Sequence, residues 1–156
     1  MKSCSFTGHR DIDESCISSL EALLSRAIDY VYNEGCRDFY CGGALGFDTM
    51  AAKLLISKRM ALGDIRIVIV APCINQSERW SERNKNIYNY LISNADEVIF
   101  ISDEYTPVCM KKRNEYLAEV ADVVIAYSGR KRSGSAQTIR MAEKLGKRVF
   151  NLFGKY

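Results

Sequence analysis

The stretch Asp38-Phe39-Tyr40-Cys41-Gly42-Gly43-Ala44-Leu45-Gly46-Phe47-Asp48 decides the fold. Four β-prone residues run into a side-chain-poor turn, and Phe47 then opens a segment of helical period. A strand that passes through glycines straight into a helix is the first half of a strand-helix-strand unit. The missing side chains of Gly42, Gly43 and Gly46 let backbone N–H groups approach an anion, and the helix N-terminus adds partial positive charge. The segment is neither the dinucleotide fingerprint G-x-G-x-x-G nor a P-loop, because no Gly-Lys-Ser/Thr closes it. Standing alone, such a turn is more often structural than functional.

On both sides the pattern repeats. Six apolar, β-prone runs, approximately 2–6, 38–41, 65–70, 97–101, 123–126 and 148–152, alternate with segments of helical period. Most are continuous apolar runs, as expected of parallel strands covered on both faces. Ile17, Leu20, Leu24, Ala27, Ile28 and Val31 fall at spacings of three and four, so a helix follows the first strand, with Asp11 and Glu14 as its capping box and Gly35 near its end. Further helices are predicted from Phe47 to about Met60, from Asn75 or Ser77 through Trp80, Ile87 and Leu91, over about 108–120, and over about 135–145 closed by Gly146. No repeat, linker or low-complexity segment interrupts them.

With 156 residues, formal net charge +3, 26% charged and 47% hydrophobic residues, the chain suits one ordinary domain over 1–156. The longest apolar run, 65–73, contains Arg66 and falls short of the roughly 18 to 20 residues of a membrane helix. The first residues lack the apolar core of a signal peptide, so the expected location is cytoplasmic and no membrane partner is expected. Cys4, Cys16, Cys36, Cys41, Cys73 and Cys109 are widely spaced and form no C-x-x-C pair, which points to free buried thiols. With His9 the only histidine, no metal site and no cofactor are assigned.

In a parallel sheet the loops that follow the strands gather along one edge, where ligands bind. Here they are Thr7-Gly8-His9-Arg10, Gly42 to Gly46, the segment 71–76, the segment 102–107 and the segment 127–137. Ser133-Gly134-Ser135 is a second glycine segment between a strand and a helix, preceded by Arg130, Lys131 and Arg132. Its hydroxyls and cations suit a phosphate, and the bland alternative is a solvated turn with Ser as helix cap. Arg10 reads as an anion-binding or loop-positioning group. His9 has no partner of a Ser/His/Asp arrangement at recognisable spacing and reads as a hydrogen-bonding loop residue. Asp48, in a helical first turn, is either a cap or an acceptor for loop amides or a ribose hydroxyl. Gln76 and Trp80, one helical turn apart, share a face, and Trp80 and Tyr127 are candidate stacking platforms that equally suit a core.

Together these residues resemble the SLOG superfamily, the Rossmann-like group that includes the DNA-processing protein DprA and the LOG phosphoribohydrolases, and within it the YpsA-like proteins. The likeness rests on Thr7-Gly8-His9-Arg10, on Gly42 to Asp48 followed by Ala51, on Pro72 with Gln76 and Trp80, on Arg113-Asn114, and on Asp122 before the strand that leads to Ser133-Gly134-Ser135. It implies a Rossmann-like three-layer α/β fold, a mostly parallel sheet of about six strands flanked by helices, whose two glycine loops bind a nucleotide-like ligand with Arg113 and Asn114 at the site. It implies no reaction. The phosphoribohydrolases carry a pattern like P-G-G-x-G-T-x-x-E, and aligning Gly134-Ser135 with its Gly-Thr puts Thr138 where the Glu should be. A hydroxyl cannot replace that carboxylate in handling a proton near neutrality.

The sequence reading is therefore a binding protein for a nucleotide or nucleotide-derived phosphorylated ligand, held between 42–46 and 133–135 with Arg10 and Arg132 near the phosphate. No catalytic residue is assigned. The enzyme alternative is hydrolysis of a nucleotide N-glycosidic bond, with Asp48 or His9 supplying acid-base chemistry. Single-stranded nucleic acid ranks third: Lys111, Lys112, Arg113 and Arg130 to Arg132 suit a phosphate backbone, but Asp103 and Glu104 share their edge. The resemblance also makes a homodimer compatible, although no surplus apolar stripe marks an interface.

Overall fold

Strands whose two sides are both apolar need a helical layer on each face. A computed structural model describes residues 2–156. Its strands are β1 (Lys2–Gly8), β2 (Cys36–Cys41), β3 (Arg66–Cys73), β4 (Glu97–Ser102), β5 (Val123–Tyr127) and β6 (Arg148–Asn151). The helices are α1 (Ile17–Asn33), α2 (Phe47–Leu62), α3 (Glu82–Asn94), α4 (Cys109–Val120) and α5 (Gly134–Lys144). One six-stranded sheet runs in the order β4-β3-β2-β1-β5-β6, and every pair is parallel. From β1 the strands step outward to β4, and the chain then returns to set β5 on the other side of β1. This reversal between β1 and β5 is the switch point at which open α/β sheets bind ligands.

The helices change face at the same place. Phe6, Phe39, Ile67, Ile69 and Ile125 of the sheet pack with Leu20, Leu24, Ile28, Phe47 and Leu55 of α1 and α2. On the opposite face Val68 and Val70 meet Leu117, and Val124 and Ala126 meet Ala118, Ala121 and Ala142. Alternate residues of β3 and β5 thus serve the two layers, each fully buried large apolar side chain contributing roughly 1.5–3 kcal/mol. Alanines between α4 and α5 let the two helices lie close together. In parallel crossovers both N-termini then sit at the ligand-binding edge of the sheet.

Two local expectations give way. Asp11 and Glu14 form no capping box: Asp13 Oδ1 accepts from the Ser15 N–H at 2.9 Å and from its hydroxyl at 2.8 Å, opening a short 3-10 turn over Glu14–Cys16. Asp11 pairs instead with Arg130 at 2.7 Å. The third helix begins later than its apolar spacing suggests. Residues 74–80 form successive turns, with Gln76 N–H bonded to Cys73 O, Glu78 N–H to Asn75 O and Trp80 N–H to Ser77 O. Asn75 spends its side chain on Glu78 Oε2 at 3.3 Å, whereas Ser81 Oγ accepts from the Asn84 N–H at 3.2 Å and caps α3. Local side-chain bonding has displaced the helix start. β1 and β3 extend two and three residues further toward their C-terminal ends than expected, so Thr7, Gly8 and Ala71 to Cys73 belong to strands. All six cysteines are free, five of them buried. Among the described residues no helix is long and apolar enough to cross a membrane.

Candidate functional site

β1 and β5 end in register, Thr7 beside Ala126 and Gly8 beside Tyr127, so their loops leave the sheet together. His9 joins them. Its N–H donates to Tyr127 O at 3.1 Å, and its carbonyl accepts from the Phe47 N–H at 3.1 Å. The ring Nε2 accepts from the Gly129 N–H at 2.8 Å, and Nδ1 lies 3.4 Å from Ser135 Oγ. An acceptor at Nε2 places the neutral ring's proton on Nδ1. Burial, then Arg130, push the His9 pKa down against the weaker pull of Asp11. The ring is thus held neutral and engaged on both nitrogens, a loop clamp with no lone pair free for a substrate.

Above this clamp opens a cleft of about 570 Å³. Thr7, Gly8, His9 and Arg10 line it from β1, Asp48 from α2, Gln76 and Trp80 from the turns after β3, Arg113 and Asn114 from α4, and Ser133, Gly134 and Ser135 from the start of α5. Gln76 and Trp80 reach it from consecutive turns, with Trp80 resting edge-on against Tyr88 at 5.4 Å between centroids. Tyr127 does not reach it. Its ring is 3% exposed, stacked on Phe47 at 5.8 Å, because the alternation of β5 turns it to the same side as Val123 and Ile125. Arg132 is exposed and lies outside the lining, where Arg130 stands instead.

The two glycine segments differ chemically. Gly42, Gly43 and Gly46 sit behind the cleft wall, and only Ala44 of that loop lines it. Gly46, at φ +79°, abuts the carbonyls of His9 and Arg10, and Gly43, at φ +74°, packs against Ile69 and Tyr88. Gly42 O accepts from Arg113 Nη1 at 2.7 Å, the Phe47 N–H is taken by His9, and the Ala44 N–H donates to Asp48 Oδ2 at 3.3 Å. With two of its donors committed and a carboxylate beside it, this turn is a poor phosphate seat. The α5 terminus is different: Ser133 Oγ accepts from the Ala136 N–H at 3.1 Å, and the first-turn N–H groups of Gly134 and Ser135 have no acceptor within the helix. Ser133 and Ser135 hydroxyls stand 3.1 Å apart beside them.

Between these poles lies a polar floor. Arg113 Nε donates to Asn114 Oδ1 at 3.1 Å, and Asn114 Nδ2 reaches Gly134 O at 3.4 Å, so two consecutive α4 residues connect the Gly42 loop to α5. Asp48 is 4% exposed, and among the described residues its Oδ1 has no hydrogen-bond partner and its carboxylate makes no ion pair. Burial pushes its pKa up to about 6, against the opposing pull of Arg113, the Ala44 N–H and Arg10. The Arg113 pKa is itself lowered by burial. Thr138 is fully buried, and its hydroxyl donates to Gly134 O at 3.0 Å. Among the described residues no cluster of three His, Cys, Asp or Glu could hold a metal.

Sequence reasoning missed Tyr105 and Met110, which give the cleft an apolar rim after β4. Their signal was present, since both follow a strand at the ligand-binding edge. Choosing Arg130 over Arg132 needed the path of the loop.

A family model, that of the YspA SLOG family, matches residues 5–149. The chain belongs to this SLOG family. Relatives include a UPF0398 protein of Bacillus thuringiensis (strain Al Hakam), 24% identical over 153 residues that span 92% of this chain and 83% of the relative. Another, from Bacillus cereus (strain G9842), is 24% identical over 156 residues, 94% of this chain and 85% of the relative. Among solved structures, DprA of Streptococcus pneumoniae superposes with a TM-score of 0.69 at 21% identity, covering 96% of this chain and 50% of that one. DprA of Helicobacter pylori, in a structure concerned with that protein's single-stranded DNA binding mode, gives 0.67 at 19% identity, covering 96% and 64%. This SLOG chain therefore shares the DprA Rossmann-like fold and spans half of the pneumococcal protein.

Proposed function

We propose that the cleft binds a phosphorylated, nucleotide-like small molecule with its phosphate on the first turn of α5. The observation that carries this reading is the uncommitted N–H pair of Gly134 and Ser135 at the cleft wall, with the Ser133 and Ser135 hydroxyls beside it and Arg10 and Arg130 lining the same space. A helix N-terminus favours an anion through aligned peptide dipoles, and guanidinium groups add charge-assisted bonds. The switch-point position and membership of the SLOG family support the same reading.

The test is a melting-temperature screen against nucleotides, dinucleotides and ADP-ribose derivatives. A ligand at 100 times its Kd stabilises the folded state by about 2.7 kcal/mol. No shift with any phosphorylated nucleoside would overturn the reading. A pocketed mononucleotide should respond weakly to salt, whereas single-stranded nucleic acid, the partner suggested by the Helicobacter pylori neighbour, should weaken steeply.

One observation favours a second reading, hydrolysis of a nucleotide N-glycosidic bond. Asp48 is a carboxyl in the cleft with its pKa at about 6, in the range that general acid-base catalysis uses. Release of free base from AMP by the pure protein would decide for it.

A further inference from the structure

The Asp48 carboxylate is built in and incomplete. Oδ2 holds the Ala44 N–H at 3.3 Å, which fixes the side chain against the loop, while Oδ1 is buried without a partner in a residue that lines the cleft. A buried acceptor left unpaired is costly, and a donor arriving with a ligand removes that cost. The surroundings select the donor. Arg113 and Asp48 flank the Gly42 backbone, since a Cβ there would lie 2.6 Å from Asp48 Oδ2 and 2.7 Å from Arg113 Nη1. Arg10 lines the same cleft. Two guanidinium groups disfavour an ammonium or a metal cation at Oδ1, and the carboxylate itself disfavours a phosphate. A neutral O–H or N–H remains.

Position then separates a sugar hydroxyl from an amine on the base. Arg113 and Asn114 bridge the floor between the loop that holds Asp48 and the first turn of α5 through three hydrogen bonds. With the phosphate on α5, the ribose hydroxyls are the donors of a nucleotide that come first along this bridge, whereas an exocyclic amine lies a ring system further away. Trp80 and Tyr105, aromatic residues of the same lining, are left for the base, Tyr105 being 66% exposed at the rim. We propose that Asp48 is the sugar-reading residue of the cleft, its Oδ1 accepting from the vicinal hydroxyls of a ribonucleotide, so that the site discriminates against ligands lacking them. This rests on the nucleotide reading above.

Isothermal titration calorimetry with AMP, 2′-deoxyAMP, 2′,3′-dideoxyAMP and inosine monophosphate tests it on the unaltered protein. A hydrogen bond to a charged group corresponds to about 10- to 100-fold in affinity. AMP should exceed dideoxyAMP by that factor, with inosine monophosphate close to AMP. In Asp48→Asn the amide oxygen must face the Ala44 N–H, so the ligand hydroxyls meet an uncharged NH₂ donor in place of a carboxylate, which should cut the discrimination to a few-fold. Equal binding of AMP and dideoxyAMP to the unaltered protein would overturn the proposal and leave the nucleotide reading standing. A loss that follows the base amine instead, or discrimination undiminished in Asp48→Asn, would also overturn it. Failure of all four to bind would also overturn the proposal, and the nucleotide reading itself would fall only if the wider melting-temperature screen gave no shift.

Discussion

Titration of Asp48 should be visible in stability before any ligand is known. Its ordinary pKa is near 3.9 and burial raises it to about 6 in the folded protein. Between these values the folded state binds more protons than the unfolded one. The stability this group contributes is therefore full below about pH 4, is lost as pH rises toward 6, and stays lost above. A shift of about 2 units at 1.36 kcal/mol each gives about 3 kcal/mol, of which about 2 falls between pH 4 and 8. Asp48→Asn has nearly the shape of the protonated acid and does not titrate. Its intrinsic cost is independent of pH, so the difference between variant and wild type isolates this one group. Urea midpoints across pH 4 to 8 should show the variant gaining about 2 kcal/mol on wild type as pH rises. For a chain of this length that corresponds to roughly 4 to 8 °C in Tm. Parallel profiles would refute the reasoning: the carboxylate would then be hydrated or paired with Arg113, and the case for an empty Oδ1 would fall with it.

The remaining expectations concern the loops. His9 is the sole histidine, so ¹⁵N imidazole shifts should report one ring protonated at Nδ1 and bare at Nε2; the opposite tautomer would break the clamp assignment. Its lowered pKa means that its contribution is full above about pH 6.5 and declines on acidification, a slope that should disappear in His9→Gln. Gly46→Ala should destabilise by at least about 2 kcal/mol in denaturant melts, because φ is +79° and the new Cβ meets the His9 and Arg10 carbonyls. Gly134→Ala should fold normally, its nearest neighbour being Asn114 Nδ2 at 3.4 Å, and should weaken anion binding by crowding the α5 terminus. Arg130→Ala should reduce nucleotide affinity by about 1.5 to 3 kcal/mol, while Arg132→Ala leaves it nearly unchanged in the same titration.

Much of the cleft was legible in the chain because parallel strands deliver their following loops to one edge. Thr7 to Arg10, Asp48, Arg113, Asn114 and Ser133 to Ser135 all reach it. The exceptions have local causes. Tyr127 points to the other layer because β5 alternates, and Gln76 and Trp80 arrive on turns because Asn75 and Ser81 outcompete an earlier helix start. The chemical difference between the two glycine turns was not legible at all.

Sequence alone determined the six strands, their alternation with helices and the edge on which function collects, since periodicity is set by side chains two to four residues apart. Only the tertiary structure decided which amides are spent, which carboxylate oxygen is unpaired and which histidine nitrogen carries the proton. Those properties depend on partners 71 residues away for Gly42 and Arg113, 120 for His9 and Gly129, and 126 for His9 and Ser135. Burial and hydrogen bonding exist only once such distant segments meet, and no local pattern encodes them.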